Sequence, residues 1–215
     1  MTLDAGCGTG LSSRALLELS HRVVALDSSA QMLSFVPSHE RIHRVLAQCE
    51  QLPLTSRSID LISASCVIHW LDRPVFMAEA ARVLKPGGPL VVYDDYFMAE
   101  QPAMPEFKTW FEQQYLPRYP TPPRNSIPLD DPERWRAVGF ELAGFERFDH
   151  YETYSASRFV DYLLTQSNVI SAVEDGGEEL ESVRTWLGAS LMPFFSESGE
   201  RRFRYSGPIA ILHAR

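Results

Sequence analysis

A chain of 215 residues with 45% hydrophobic and 22% charged side chains has the make-up of a folded globular protein with one sizeable core, as a single domain or a domain carrying an inserted cap. Its net charge of -8 disfavours a nucleic-acid partner, because such binding rests on Lys and Arg neutralising phosphates. No apolar run approaches the roughly 20 residues of a membrane-spanning helix and the first residues lack the basic region of a secretory signal, so no membrane is expected and the cytoplasm is the expected location.

In chain order, residues up to 96 alternate short apolar runs with amphipathic stretches. Strands are expected at 1–5, 22–26, 43–47, 60–65 and 90–93, and helices at 11–19, 29–35 and 74–84, the last stopped by the KPGG turn at 85–88. Such alternation means parallel pairing with right-handed crossovers, hence a doubly wound α/β sheet. After residue 97 the period changes. Prolines crowd 98–132 around one aromatic helix candidate at 107–115. Beyond them a helix is expected at 132–138, a strand at 145–154, helices at 157–165 and 178–195, and a last strand at 202–212. Arg201, Arg202 and Arg204 alternate with Phe203 and Tyr205, the pattern of a strand's solvent face rather than of a phosphate-binding patch. Cys7, Cys49 and Cys66 are too widely spaced for a disulfide framework or a CxxC site, and no metal is expected.

Gly6, Gly8 and Gly10 fall between the first strand and the first helix. Glycine there allows backbone torsions closed to other residues and lets a ligand lie against the main chain, while the helix opening at Leu11 offers its amide groups. Asp27 ends the second strand, where a carboxylate can accept two hydrogen bonds from a ribose diol; capping the next helix is its other role, one that Ser28 and Ser29 could also fill. With the glycine loop ahead of it, the ribose role is favoured. A dinucleotide loop wants a third glycine where this chain has Leu11, so the loop suits NAD poorly and better suits a ligand joining an amino acid to a single nucleoside.

The segments LDAGCGTG, VVALD, CEQLPL, SIDLISAS and RVLKPGG, spread in order over 2–95, resemble the motifs of class I S-adenosylmethionine-dependent methyltransferases, closest to the small-molecule branch of the ubiquinone-pathway and trans-aconitate enzymes, where a pair like His69 and Trp70 is familiar. The resemblance implies a Rossmann-like, mostly parallel seven-stranded sheet ending in an antiparallel hairpin, with a helical lid inserted at about 157–195. It makes 1–215 one methyltransferase domain, 1–96 its cofactor half and 97–215 its acceptor-side half. S-adenosylmethionine is the implied cofactor. Asp4, Gly6, Cys7, Gly8 and Gly10 would surround its methionine moiety, Asp27 its ribose, Ser28 and Met32 the sugar and adenine. Gln48, Cys49 and Glu50 stand where the family often has Asp-Ala-Glu, and Ser65 ends the fourth strand. All three cysteines would follow strands at the ligand-binding edge.

The implied reaction is in-line methyl transfer to a small-molecule acceptor, with the receiving O, N or C atom left open. Such transfer mainly needs the acceptor held close, and a base only where the acceptor is weakly nucleophilic. His69 is the candidate base or orienting residue, with Trp70 and Tyr93 beside the substrate and Asp94 and Asp95 as further polar groups; packing against Trp70 is the other reading of His69. Trp110, Phe111, Tyr115, Tyr119, Trp135, Tyr154, Tyr162 and Trp186 are expected mostly in the core, with one or two touching an apolar or flat acceptor. A cofactor-binding regulatory or assembly module without transferase activity is the alternative. Only Met1, Thr2 and Leu3 precede Asp4, whereas the family usually has further helices there, so either the chain is a shortened form or the 157–195 insert and a neighbouring subunit, as in a homodimer, supply that cover.

Overall fold

The computed structural model describes residues 1–101, 104–123, 127–195 and 199–215; the parts of the proline-rich connection at 102–103 and 124–126 lie outside the described residues. The chain divides into two compact units. The first comprises Met1–Asp95, the described part of 124–148, and Gly207–Arg215.

In the first unit, β1 (Thr2–Ala5), β2 (Val23–Asp27), β3 (Ile42–Leu46), β4 (Leu61–Ser65) and β5 (Pro89–Tyr93) lie in the order β3-β2-β1-β4-β5, all parallel. Every residue of β1 is buried, as befits a central parallel strand covered on both faces, whereas His43 and Arg44 of the edge strand β3 are exposed. Connections are α1 (Leu11–Ala15), which tightens into a 3-10 turn over Leu16–Glu18, α2 (Ala30–Phe35) and α3 (Arg73–Val83). Asp72 caps α3 by accepting from the Val75 amide, Pro74 fits its first turn, and Phe76, Met77, Ala80 and Val83 form its buried stripe. That stripe packs with Leu3, Leu26, Ile62, Leu90 and Trp135 in one core, while Val23, Ala25, Leu33 and Val36 belong to a second cluster.

The second unit comprises 96–123 and 149–206 over their described residues. β6 (Tyr96–Phe97), α4 (Glu106–Trp110), a π-helical turn over Phe111–Tyr115 and the three-residue α5 (Leu116–Arg118) come from its first segment. α6 (Pro132–Ala137), which lies in the first unit, precedes β7 (Phe140–Ser155); then come α7 (Ala156–Leu164), α8 (Ser167–Glu174), α9 (Leu180–Phe195) and β8 (Glu200–Ala214). The core of this unit is aromatic: Phe159 stacks on Phe203 at 4.4 Å, and Phe97 meets Phe107, Phe111 and Tyr205.

β8 runs antiparallel to β5, pairing Pro89 with His213 and Tyr93 with Ile209. β7 pairs with β8. Gly139 meets Arg215, Gly144 approaches Ile211, Asp149 bonds Arg204 and Tyr151 lies under Arg202, so partner numbers fall as residue numbers rise and the pair is antiparallel. The expected α/β class and terminal hairpin are present. The hairpin strands are longer than 145–154 and 202–212, and the two-residue β6, paired with β8, raises the strand number among the described residues to eight. α8 was not anticipated, because Ser, Asn, Val and Ile are weak helix formers. The arginine cluster behaves as a strand face: Phe203 and Tyr205 are buried, while Arg204 pairs with Glu100 and Asp149. Among the described residues, no helix is long and apolar enough to cross a membrane.

Candidate cofactor cavity

After β1 the chain moves to β2 and β3 on one side, then returns to place β4 on the other side of β1. Ligands of open α/β sheets sit outside the carboxyl ends of the strands at such a switch. A cavity of about 650 Å³ lies there in the first unit, walled by Gly6 and Gly8 after β1, Asp27 and Ser28 after β2, Met32 on α2, Gln48, Cys49 and Glu50 after β3, and Cys66, Val67 and Trp70 after β4.

The glycine loop has two requirements that a side chain would break. Gly6 has φ 67°, and a Cβ there would lie 2.3 Å from Val67 Cγ2. Gly8 has φ 54° with nothing within 4 Å of an added Cβ, so its bare backbone forms open wall rather than packed core. The loop is tied to β2: the Cys7 amide donates to Leu26 O at 2.9 Å and the Gly8 amide to Asp27 Oδ2 at 2.8 Å. Asp27 Oδ1 accepts from the Ser29 amide at 2.8 Å. Capping of α2 itself falls to Ser29, whose hydroxyl accepts from the Met32 amide. Each carboxylate oxygen retains capacity for a second donor.

The remaining wall is held from behind. Glu50 Oε1 accepts from the Asp72 amide, and Arg82 reaches Leu52 O and Leu54 O while Glu79 accepts from the Leu52 amide, fixing the loop after β3. Val67, Leu71 and Asp72 also line the cavity, beyond the residues expected from sequence. A sequence signal for the last existed, since Asp72 precedes Pro74 at a helix start.

Other expected site residues stand back from the wall. Asp4 is fully buried beneath the loop, its Oδ2 accepting from the hydroxyls of Ser12, at 2.6 Å, and Ser13; burial pushes its carboxyl above the usual carboxylate range. Cys7 is buried, and Gly10 caps α1 in a left-handed conformation. Ser65 and Tyr93 pair at the ends of β4 and β5. Burial pushes the Cys7 and Cys49 thiols up to about 12 and raises that of Cys66, whose Sγ accepts from the Asp95 amide at 3.3 Å. His69 is 7% exposed, with Nδ1 3.7 Å from Asp94 Oδ1 and its ring 5.2 Å from that of the 54%-exposed Trp70. Of the aromatic residues expected in the later half, Trp135 belongs to the first unit's core, its indole donating to Leu129 O, and the others to the second unit's core.

The cavity is lined by three carboxylates, Asp27, Glu50 and Asp72, and among the described residues by no Lys, Arg or His. A pyrophosphate would meet like charge there, whereas a ligand carrying a positive centre and a diol meets complementary groups. A methyltransferase-domain family matches residues 3–92. A malonyl-[acyl-carrier protein] O-methyltransferase of Marinomonas sp. is 40% identical over 122 residues, 52% of this chain and 43% of the relative. The chain spans less than half the length of the curated relatives it matches. A solved structure from Anaeromyxobacter dehalogenans assigned as a type II methyltransferase aligns over 100% of this chain and 88% of its own with TM-score 0.71 and 25% identity. A phosphoethanolamine N-methyltransferase of Haemonchus contortus in complex with S-adenosyl-L-methionine has TM-score 0.51 and 17% identity over 98% of this chain and 48% of its own, a likeness of fold. Residues 3–92 therefore match a methyltransferase-domain family and resemble the class I, S-adenosylmethionine-dependent kind, on a Rossmann-like sheet.

Proposed function

We propose that the chain transfers a methyl group from S-adenosylmethionine to an oxygen of a small-molecule acceptor. The observation that carries this reading is the carboxylate-lined cavity at the sheet's switch point, where the bare backbone of Gly8 and the carboxylate of Asp27 adjoin in the wall. Gly6 and Gly8 would border the methionine moiety, Asp27 would accept from the ribose hydroxyls, and Met32, Gln48 and Cys49 would flank the adenine. Glu50 and Asp72 add negative potential that favours a cationic ligand. When bound, the sulfonium supplies an activated methyl; the chain's task is to hold the acceptor in line and exclude water. The similarity to malonyl-[acyl-carrier protein] O-methyltransferases supports oxygen as the receiving atom.

Residues 97–215 have the acceptor-side role in this proposal, with the helices of 157–195 as its lid. A cytoplasmic location, a homodimer and independence from nucleic acid belong to it as well, the net charge of -8 supporting the last. The test is calorimetric titration with S-adenosylmethionine, followed by mass spectrometry of a panel of hydroxyl and carboxyl acceptors, including a malonyl thioester, after incubation with methyl-deuterated cofactor. Cofactor binding with a labelled product supports the reading. Binding without any labelled product favours the module without transferase activity, and NAD binding in its place would overturn both.

A further inference from the structure

We propose that the cleft between the start of α3 and α6 is a second ligand site, one that takes an oxyanion, a carboxylate or a phosphate ester, carried on a small apolar body. Occupation of this site is independent of the proposed methyl transfer. The cleft, of about 230 Å³, lies in the first unit and is lined by the cations Arg73 and Arg134 and by the apolar Pro74, Ile127, Trp135 and Val138. Among the described residues no Asp or Glu lines it. The cofactor cavity is the reverse, with three carboxylates and no cation, although the two linings meet in the chain: Asp72 belongs to one and Arg73 to the other. In a chain of net charge -8, a cleft whose only charged lining is cationic reverses the surrounding field and draws anions.

The apolar walls are held in place. Trp135 is 1% exposed and its indole donates to Leu129 O at 2.9 Å, which fixes the ring. Ile127 and Val138 pack against the first unit's core, and Pro74 sits in the first turn of α3 with its backbone torsion locked by its own ring. Against these walls the apolar body of a ligand leaves water, and the small volume suits a compact acid or the end of a longer molecule. Arg134 meets Asp131 through Nε, at 3.1 Å, leaving both terminal nitrogens without a partner among the described residues. End-on, those nitrogens can grip two oxygens of a carboxylate or phosphate. The Asp131 contact is an exposed pair three residues apart, a kind that contributes little, so a ligand oxyanion can compete with it. Glu133 is engaged by Arg136 and does not neutralise the cleft.

The test is isothermal titration of the whole chain with three probes of similar shape: phenylacetate, phenyl phosphate and the neutral 2-phenylethanol. Both anions should bind one to one and at least tenfold more tightly than the alcohol, a ratio that falls as salt is raised. Arg73→Gln and Arg134→Gln should each weaken both anions at least fivefold. Ala137→Leu, which adds bulk to the lining from an exposed position of α6, should weaken them at least tenfold. Asp27→Ala, in the wall of the cofactor cavity, should leave both affinities within twofold. Phenyl phosphate favoured tenfold or more assigns a phosphate ester as the ligand class and a smaller ratio a carboxylic acid; either supports the oxyanion site. Failure of both anions to bind at millimolar concentration overturns it, as does equal affinity for the alcohol. Anion binding that survives loss of both arginines, or that disappears in Asp27→Ala, overturns it as well.

Discussion

The amide of Gly8 donates to Oδ2 of Asp27 at 2.8 Å, so the residue expected to grip the cofactor's ribose also holds the loop expected to border its methionine. Asp27→Ala should therefore act twice, removing a ligand contact and releasing the loop. Cofactor affinity should fall at least tenfold, about 1.4 kcal/mol. Isothermal titration of both proteins checks this, and unchanged affinity would remove Asp27 from the ribose role.

Substitutions at the two cavity glycines should separate packing from binding. Gly6→Ala drives a Cβ to 2.3 Å from Val67 Cγ2 in a left-handed backbone, so it should lower the melting temperature. Val67→Ala should recover part of that loss, with a coupling of about 1 kcal/mol in a double-mutant cycle. Gly8→Ala meets no atom within 4 Å, and its cost in stability should be limited to backbone strain of about 1 kcal/mol. Its larger effect should appear in cofactor affinity, because the added methyl points into the open wall.

The contrast between those glycines shows what could be read from sequence. The loop, Asp27 and the strand ends around them were legible because glycine spacing, apolar runs and capping residues act over a few neighbours. Val67 and Leu71 were not, since nothing local distinguishes a wall residue from a core one; their role depends on β4 crossing beside β1. Asp4 was legible as part of the loop but not as its buried support, which depends on the hydroxyls of Ser12 and Ser13 turning back beneath it. The 16 residues of β7 were only partly foreseen because charged residues interrupt their alternation. Asp94 was visible only as one polar residue among several, and its approach to His69 depends on β4 and β5 lying side by side.

Asp4 gives a prediction with a defined sign in pH. Burial raises its carboxyl in the folded protein above the unfolded value, so its contribution to stability is fully present below pH 3.8 and is lost as pH rises through the folded value. At neutral pH the ionised group is a burden that Ser12 and Ser13 only partly relieve. Asp4→Asn removes that burden while keeping an oxygen for both hydroxyls. The melting temperature of Asp4→Asn relative to native should therefore be more favourable at pH 7 than near pH 4. Ser13→Ala should destabilise the native protein at pH 7 by about 1–3 kcal/mol, the cost of a lost donor to a buried charged group. An Asp4→Asn difference that does not vary between those pH values would remove Asp4 as an ionised group of the folded state.

The three thiols should respond to the cofactor according to their place around the cavity. Cys66 is exposed and lines it, Cys49 is buried and lines it, and Cys7 is buried behind the loop. All three are raised by burial, so little thiolate is present at pH 7 and alkylation should accelerate as pH rises, first at Cys66. Bound S-adenosylmethionine should slow modification of Cys66 several-fold by covering the wall it shares with Val67 and Trp70. Peptide mass spectrometry after iodoacetamide treatment at pH 7 and pH 9, with and without cofactor, resolves each site. Equal Cys66 rates in the two conditions would place the ligand away from the end of β4 and remove the argument from cysteines following strands at the ligand-binding edge.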